Sequence, residues 1–315
     1  MDYLFILFGF GILIIGANYL VEGASGLAKR FNVPDLVIGL TVVALGTSAP
    51  ELVVNLVAAA SPETTDLALT NIIGSNTINT FIVLGLAALI LPIKSQKSSR
   101  RFDIPLSLLG TLLILFFAIV FDNFISRIDG LILLLFFAWF MLVMVTRSIK
   151  NSEIITAEIH FKPMKIWIAG IMILGGLGAL IGGAGLIVPS AVCIAQSLGI
   201  SQSVIGLTIV ALGTSLPELA TSVVAAFKKN SDIALGNVIG SNIFNVFFVL
   251  SVSAMIRPLP AYDGMIIDLS MAALGSLLVM VFVLTNKQFS IKRWQGGLLL
   301  SLYFIYIFQL ITKSI

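Results

Sequence analysis

Ten long apolar stretches separated by short polar breaks take up almost the whole chain: roughly 2–28, 33–60, 66–92, 103–121, 128–146, 164–186, 189–227, 231–257, 264–285 and 294–312. A helix crossing the hydrocarbon core needs about 20 apolar residues, and each stretch is of that order or longer. Strands of a membrane barrel would alternate polar and apolar residues with period two, and runs such as Gly130–Phe140, GLILLLFFAWF, do not. The pattern predicts an all-α integral membrane protein with ten transmembrane helices. The first stretch lacks a basic leader and a small-residue cleavage site and is followed at once by a second, so it reads as a retained span.

Composition agrees. Of 315 residues 58% are hydrophobic and 10% charged, against about a quarter charged in a soluble domain. The single cysteine, Cys193, excludes an internal disulfide, lacks partners for a zinc or redox site, and reads as small apolar filler. Of the 18 Lys and Arg, only Arg127, Arg257 and Lys313 fall on the side that carries both termini; the other 15 fall on the opposite side. The positive-inside rule places those 15 in the cytoplasm and both termini outside it, in the plasma (cell inner) membrane. A miscounted span would mix the two sets, so the split also supports the count of ten. The net charge of +3 thus reflects topology, with no patch for nucleic acid.

The chain repeats itself. Residues 38–52, IGLTVVALGTSAPEL, and 205–219, IGLTIVALGTSLPEL, match at thirteen of fifteen positions at an offset of 167. IIGSNTIN at 72–79 returns as VIGSNIFN at 238–245, at an offset of 166, one residue having been lost in between. This predicts two related five-helix repeats, 1–146 and 166–315, joined by a cytoplasmic linker at 147–165. Five is odd, so the second half enters the membrane from the opposite side. That is the inverted plan of secondary transporters, which place their substrate at the midplane between the repeats.

Each repeat puts Gly-Thr-Ser-x-Pro-Glu in the middle of a span. Pro50 and Pro217 have no amide proton for the carbonyls of Gly46 and Gly213, and glycine there lets the backbone leave helical geometry cheaply. The expectation is a helix interrupted at mid-membrane with exposed carbonyls, which is tolerated only where protein buries it or it lines a wet cavity. Glu51 and Glu218 follow the prolines. A charge at the bilayer centre costs about 2.5–3.5 kcal/mol, and no Lys or Arg stands fewer than ten residues from either. Either both are protonated and make structural hydrogen bonds, or a cation passes between them. The surrounding donors are hard oxygens: Thr47, Ser48, Thr214, Ser215, Ser75, Ser241, Asn79 and Asn245. No His or Cys accompanies them, which disfavours zinc, copper and nickel. Ca2+, with six to eight oxygens in adaptable geometry, suits the set better than Mg2+.

Ser75 and Asn79, like Ser241 and Asn245, are one helical turn apart and share a face, with small-residue packing as a coexisting role. Asn71 and Asn237, a turn earlier, suit ion contact or helix bracing equally. Asn18 and Asn55 read as packing residues. Glu22, Asp35, Glu63, Asp66 and Asp232 read as span-end groups reaching water, His160 as a solvated loop residue, and Asp268 as snorkelling or locally hydrogen-bonded.

The paired GTSAPEL and GTSLPEL segments, each followed by GSNxxN, resemble the two alpha-repeats of the calcium/cation antiporter superfamily, in particular its prokaryotic sodium/calcium exchangers. The resemblance covers nearly the whole chain. It implies exchange of Na+ for Ca2+ by alternating access, electrogenic, with no enzymatic activity, no cofactor and a monomer sufficient. It implies a calcium site of Glu51, Glu218 and the carbonyls of Thr47 and Thr214. Sodium would use the same glutamates, the carbonyls of Ala44 and Ala211, and the side chains of Ser48, Ser215, Ser75 and Ser241. It also implies that spans 1 and 6, long and tilted, slide across the rest; the glycines in 170–185 suit such sliding and equally suit close packing. Many relatives carry aspartate where Asn245 stands, so the site lacks a third carboxylate. Thr70 stands where the second half has Gly236, and the linker is too short for the calcium-sensing domains of animal exchangers. The competing readings are a Ca2+/H+ antiporter, whose relatives tend to have Asn rather than Thr-Ser before the glutamate, and a passive cation channel.

Overall fold

The computed structural model describes residues 1–61, 65–120, 124–150, 164–197 and 211–314. Among them the helices are α1 (Asp2–Phe31), α2 (Asp35–Thr47), α3 (Ala49–Ala60), α4 (Leu67–Ile90), α5 (Ser99–Ile119), α6 (Arg127–Ser148), α7 (Ile166–Ser197), α8 (Ala211–Thr214), α9 (Leu216–Phe227), α10 (Ser231–Ile256), α11 (Met265–Thr285) and α12 (Arg293–Ser314). Seven are long and apolar enough to cross a membrane, and an eighth span results if α2 and α3, which meet at 47°, are taken together. The described residues therefore support seven to eight spans rather than the full ten. His160, Glu63 and most of the 147–165 linker lie outside the described residues, as do 198–210, which hold the start of the second repeated motif; so does the side chain of Asp66.

One boundary differs from expectation. The apolar pattern places the sixth span at 164–186 and the seventh from 189, but α7 continues through Pro189 to Ser197. A membrane helix tolerates an internal proline where neighbouring groups re-satisfy the backbone. Both α1 and α7 are accordingly long, 30 and 32 residues, about 45–48 Å at 1.5 Å per residue.

These two helices make the most extensive pairing in the molecule. A Cβ on Gly16 would lie 2.8 Å from the Gly176 carbonyl oxygen, and one on Gly183 would lie 2.8 Å from that of Gly9. Only glycine permits backbones to approach this closely. Gly170, Gly175, Gly178, Gly182 and Gly185 face open space instead, so only part of the glycine run is explained by packing against α1.

Burial sorts the rest. The most apolar stretches of α4 and α10 are 83% and 78% buried, those of α1, α6 and α7 only 33%, 28% and 28%. The helices carrying the two GSNxxN segments are thus the centre of the bundle. Exposed apolar side chains such as Phe8, Leu135, Leu174 and Phe308 coat the outer helices, as a lipid-facing surface requires. Cys193 is a free thiol among the exposed residues of α7.

Two short strand pairs staple the ends of the bundle: β1 (Ile93–Lys94) with β4 (Ser290–Ile291), and β2 (Phe124–Ile125) with β3 (Leu259–Pro260), both antiparallel. Moving along the chain by the 166-residue offset carries β1 onto β3 and β2 onto β4, and the register follows. The pair Ile93↔Ile291 corresponds to Leu259↔Ile125. Helix α5 separates β1 from β2, so the two staples sit at its opposite ends.

Acidic residues near the span ends have protein partners. Glu22 pairs with Lys228 at 2.7 Å, and Asp103 with Arg147 at 2.7 Å, the latter also stacked over Phe102. Asp35 is 4% exposed and accepts from Asn230 Nδ2 at 2.9 Å, and Asp232 accepts from Gln96 Nε2 at 2.7 Å. These groups meet partners and not merely water, because neighbouring helix ends bring amides and bases to them. Asp268 accepts the hydroxyls of Tyr262 at 2.8 Å and Tyr306 at 2.7 Å, the local hydrogen bonding expected of it. Burial, and then the negative Asp268, push the Tyr262 hydroxyl above the ordinary tyrosine range, so it remains a donor.

Candidate cation-binding site

The break in the first motif falls at Ser48, with φ −85° and ψ 10°, and that in the second at Ser215, with φ −87° and ψ 6°. Pro50 and Pro217 occupy the first turn of α3 and α9, where a missing amide proton costs nothing. The glycines play a different part from the one expected. Gly46 lies within the last turn of α2, and neither Gly46 nor Gly213 has a positive φ. Instead, a Cβ on Gly46 would come within 2.7 Å of Leu177, and one on Gly213 would collide with Val188. Both glycines make room for α7.

The breaks put Glu51 and Glu218 in the first turns of α3 and α9, where the helix dipole favours negative charge. Both are 0% exposed. Their surroundings are exchanged between the halves. Ser48 Oγ donates to Glu218 Oε1 at 2.8 Å, and Ser241 Oγ adds a longer bond of 3.3 Å. Glu51, in turn, lies beside Thr214 and Ser215 and within electrostatic reach of Glu218. The two ion pairs among the described residues, Lys228–Glu22 and Arg147–Asp103, are elsewhere, so no base balances the two carboxylates.

The polar atoms here are poorly satisfied. Both oxygens of Glu51, Glu218 Oε2, the hydroxyls of Ser75 and Ser215, both polar atoms of Asn79, and Asn245 Oδ1 are buried without a hydrogen-bond partner. Each such group costs about 1–3 kcal/mol when left unpaired. Native interiors seldom keep several together unless something other than protein satisfies them. Nearly all are oxygens, the donor type that hard cations take. Among the described residues no three His, Cys, Asp or Glu side chains converge, so the negative charge of the cluster is that of two carboxylates.

Not every anticipated oxygen is free. The carbonyl of Ala44 accepts the Ser48 amide at 3.0 Å and the Thr47 hydroxyl at 3.3 Å, so it is a helical acceptor rather than an exposed one. The Thr47 hydroxyl also donates to Asn237 Oδ1 at 3.0 Å. Thr214 and Ala211 sit at the corresponding turn of α8. Asn71 and Asn237 brace helices: Asn71 Nδ2 donates to Asn55 Oδ1 at 2.7 Å, and Asn237 Nδ2 to Ser222 Oγ at 2.9 Å and to the Glu218 carbonyl at 3.2 Å.

Two features went unremarked in the sequence. The helices widen to π geometry over Asn79–Val83 and Asn245–Leu250, starting at corresponding residues, and such bulges concentrate at functional sites. The middle asparagines of the GSNxxN segments, Asn76 and Asn242, bridge the halves: Asn76 Nδ2 donates to the Asn242 carbonyl at 3.3 Å, and Asn245 Nδ2 to Asn76 Oδ1 at 3.1 Å. Their presence at matching positions of both repeats was the available signal.

The family model for the sodium/calcium exchanger protein matches residues 1–146 and 168–312. The chain is 39% identical to the putative antiporter CaxA of Alkalimonas amylolytica over 98% of each chain. It is 31% identical to the sodium/calcium exchanger MaX1 of Methanosarcina acetivorans, over 98% of this chain and 97% of that one. Among solved structures, the sodium-calcium exchanger NCX_Mj soaked with 10 mM Na+ and zero Ca2+ superposes with a TM-score of 0.81 at 36% identity, over 97% of each chain.

Proposed function

The chain belongs to the sodium/calcium exchanger family, and we propose that it exchanges Na+ for Ca2+ across the membrane at a single site between Glu51 and Glu218. The observation that carries this reading is the cluster of buried, unpartnered oxygens around two carboxylates with no neighbouring base among the described residues. Ca2+ takes Glu51, Glu218 and the carbonyls of Thr47 and Thr214, leaving the Thr47 hydroxyl in its bond to Asn237. Na+ ions take the same glutamates with Ser48, Ser215, Ser75 and Ser241 and the carbonyls of Ala44 and Ala211, the Ala44 carbonyl being freed for the ion when the Thr47 hydroxyl keeps only its bond to Asn237. Asn79 and Asn245 complete the shell.

Because the two loads share oxygens, they cannot occupy the site together, and this mutual exclusion is what couples their fluxes. One Ca2+ balances two carboxylates, so more than two Na+ per Ca2+ makes the exchange electrogenic. The chain is read as ten spans in two inverted halves, 1–146 and 166–315, about the 147–165 linker. Support comes from the strand staples at opposite ends of α5, related by the repeat offset, and from the two stretches of the family match. Both termini lie outside the cytoplasm, on the charge asymmetry of the loops. Alternating access moves α1 and α7 together, joined by their glycine contacts.

Vesicles loaded with Na+ and diluted into Na+-free medium containing 45Ca2+ test the reading. Uptake that requires the outward Na+ gradient is the expected result. Uptake driven by a pH gradient and indifferent to Na+ overturns it in favour of proton exchange.

A further inference from the structure

Position 245 holds an amide, and an amide has two faces of opposite character: a carbonyl oxygen that attracts a cation and an NH2 group that repels it. Which face meets the ions therefore decides whether Asn245 is a ligand or an obstacle. Its Nδ2 donates to Asn76 Oδ1 at 3.1 Å, and its own Oδ1 is left buried and unpartnered. Asn76 is in turn fixed by the bond from its Nδ2 to the Asn242 carbonyl at 3.3 Å. Turning Asn76 over would set two oxygens against each other there, and turning Asn245 over would do the same between the two side chains.

The other half of the molecule shows that this arrangement is not a general property of the motif. The residues corresponding to Asn245 and Asn76 are Asn79 and Asn242. Asn242 instead donates its Nδ2 to Thr80 Oγ1 at 2.9 Å, and Asn242 Oδ1 and both polar atoms of Asn79 have no partner. Thr80 corresponds to Val246, which offers no hydroxyl. Asn76 therefore has no such alternative and bonds to the Asn242 carbonyl. A single Thr-to-Val difference between the repeats thus accounts for one amide being held and the other left unheld.

We propose that Asn76 is a positioning residue that holds the Asn245 amide with its carbonyl oxygen toward the transported ions, making position 245 an oriented, uncharged ligand. The proposal rests on the exchange reading for its ligand, a cation at the central site. With it, position 245 adds a ligand but no charge to the two carboxylates, and the ligand strength at 245 is set by a residue that never touches the ion.

A double-mutant cycle tests it, with Na+ and Ca2+ binding measured by calorimetry on the purified protein and Na+-driven 45Ca2+ uptake in vesicles. N76A frees the amide, and the expected result is a roughly tenfold weaker apparent affinity for ions with the maximal rate little changed. A carboxylate at 245 needs no orienting, so N76A/N245D is expected to bind ions as N245D alone does. N76D, protonated in this buried position and donating its O–H to the Asn242 carbonyl, keeps the acceptor for Asn245 Nδ2 and is expected to hold affinity near that of the parent protein. Additive losses in the cycle, a fall in maximal rate with affinity unchanged, or N76D losing as much affinity as N76A would overturn the proposal and leave Asn76 as a helix brace. If N76A does not yield folded protein, the N76D affinity decides alone. Binding is read without transport, so failure of the exchange reading in the vesicle assay is distinguishable from failure of this one.

Discussion

Ser48, in the break of the first repeated motif, donates its hydroxyl to the carboxylate of Glu218 in the second at 2.8 Å. The contact joins the repeats at the point where both are interrupted, and its counterpart is incomplete: Ser215 lies beside Glu51, yet its hydroxyl has no partner. Glu218 thus accepts a short bond from the opposite repeat, whereas Glu51 has Thr214 and Ser215 beside it without a bond of that kind. A bond from a hydroxyl to a charged group contributes about 1.5–3 kcal/mol.

S48A is accordingly expected to destabilise the ion-free protein by an amount of that order, whereas S215A leaves its melting temperature near that of the parent. Both variants are expected to bind Ca2+ more weakly. Differential scanning fluorimetry with and without Ca2+ separates the two effects; equal destabilisation of the ion-free state by both substitutions would contradict the asymmetry.

E51Q and E218Q each remove a carboxylate that no base among the described residues balances. Both are expected to abolish Na+-driven 45Ca2+ uptake. A bound ion stabilises the folded state, by about 2.7 kcal/mol at one hundred times its dissociation constant, so Ca2+ should raise the melting temperature of the parent protein and of neither variant. Retained uptake in either variant would remove that residue from the site.

Much of this was legible in the sequence because the repeat doubles every signal. Glu51 and Glu218 were identified by a charge at mid-span, duplicated, beside a proline. The break was foreseen from Pro50 and Pro217, but the part of the glycines was not: they answer to α7, which lies far away in sequence, and a motif read alone cannot show a distant neighbour. The same limit left Asn71 and Asn237 undecided between ion contact and bracing, because their partners Asn55 and Ser222 stand 16 and 15 residues away on adjoining helices. The end of the sixth span was misjudged at Pro189 because proline stops helices in water more reliably than in a bundle. Asn76 and Asn242 stood inside the quoted motif, but the direction of an amide is set by tertiary contacts.

The pair Glu22–Lys228 ties α1 to the end of α9 at 2.7 Å, with Lys228 Nζ also donating to the Asn18 carbonyl at 3.3 Å. The corresponding positions in the opposite halves are Pro189 and Ser61, which cannot pair. The Glu22 side chain is 42% exposed, so the coupling is expected to be modest, about 0.2–1 kcal/mol. A cycle of E22Q, K228Q and the double variant, followed by thermal unfolding, should return a value in that range. The charge exchange E22K/K228E should recover it, and a coupling of zero would show the pair to be incidental.

The last prediction concerns the fit of α7 over the two breaks. A Cβ added at Gly213 meets the branched side chain of Val188, and one added at Gly46 meets the tip of Leu177. Valine is stiff about its first torsion, whereas leucine has a further rotatable bond through which its methyls can move aside. Overpacking of this kind costs about 1–3 kcal/mol where nothing yields. G213A is therefore expected to lower the melting temperature and the rate of Na+-driven uptake more than G46A does. V188A removes the obstructing methyl groups, so V188A/G213A should recover much of what G213A loses, while V188A should do nothing for G46A. If G46A proves the more damaging of the two, or if V188A fails to relieve G213A, the glycines owe their place to the backbone of the break after all, and the contact with α7 is incidental.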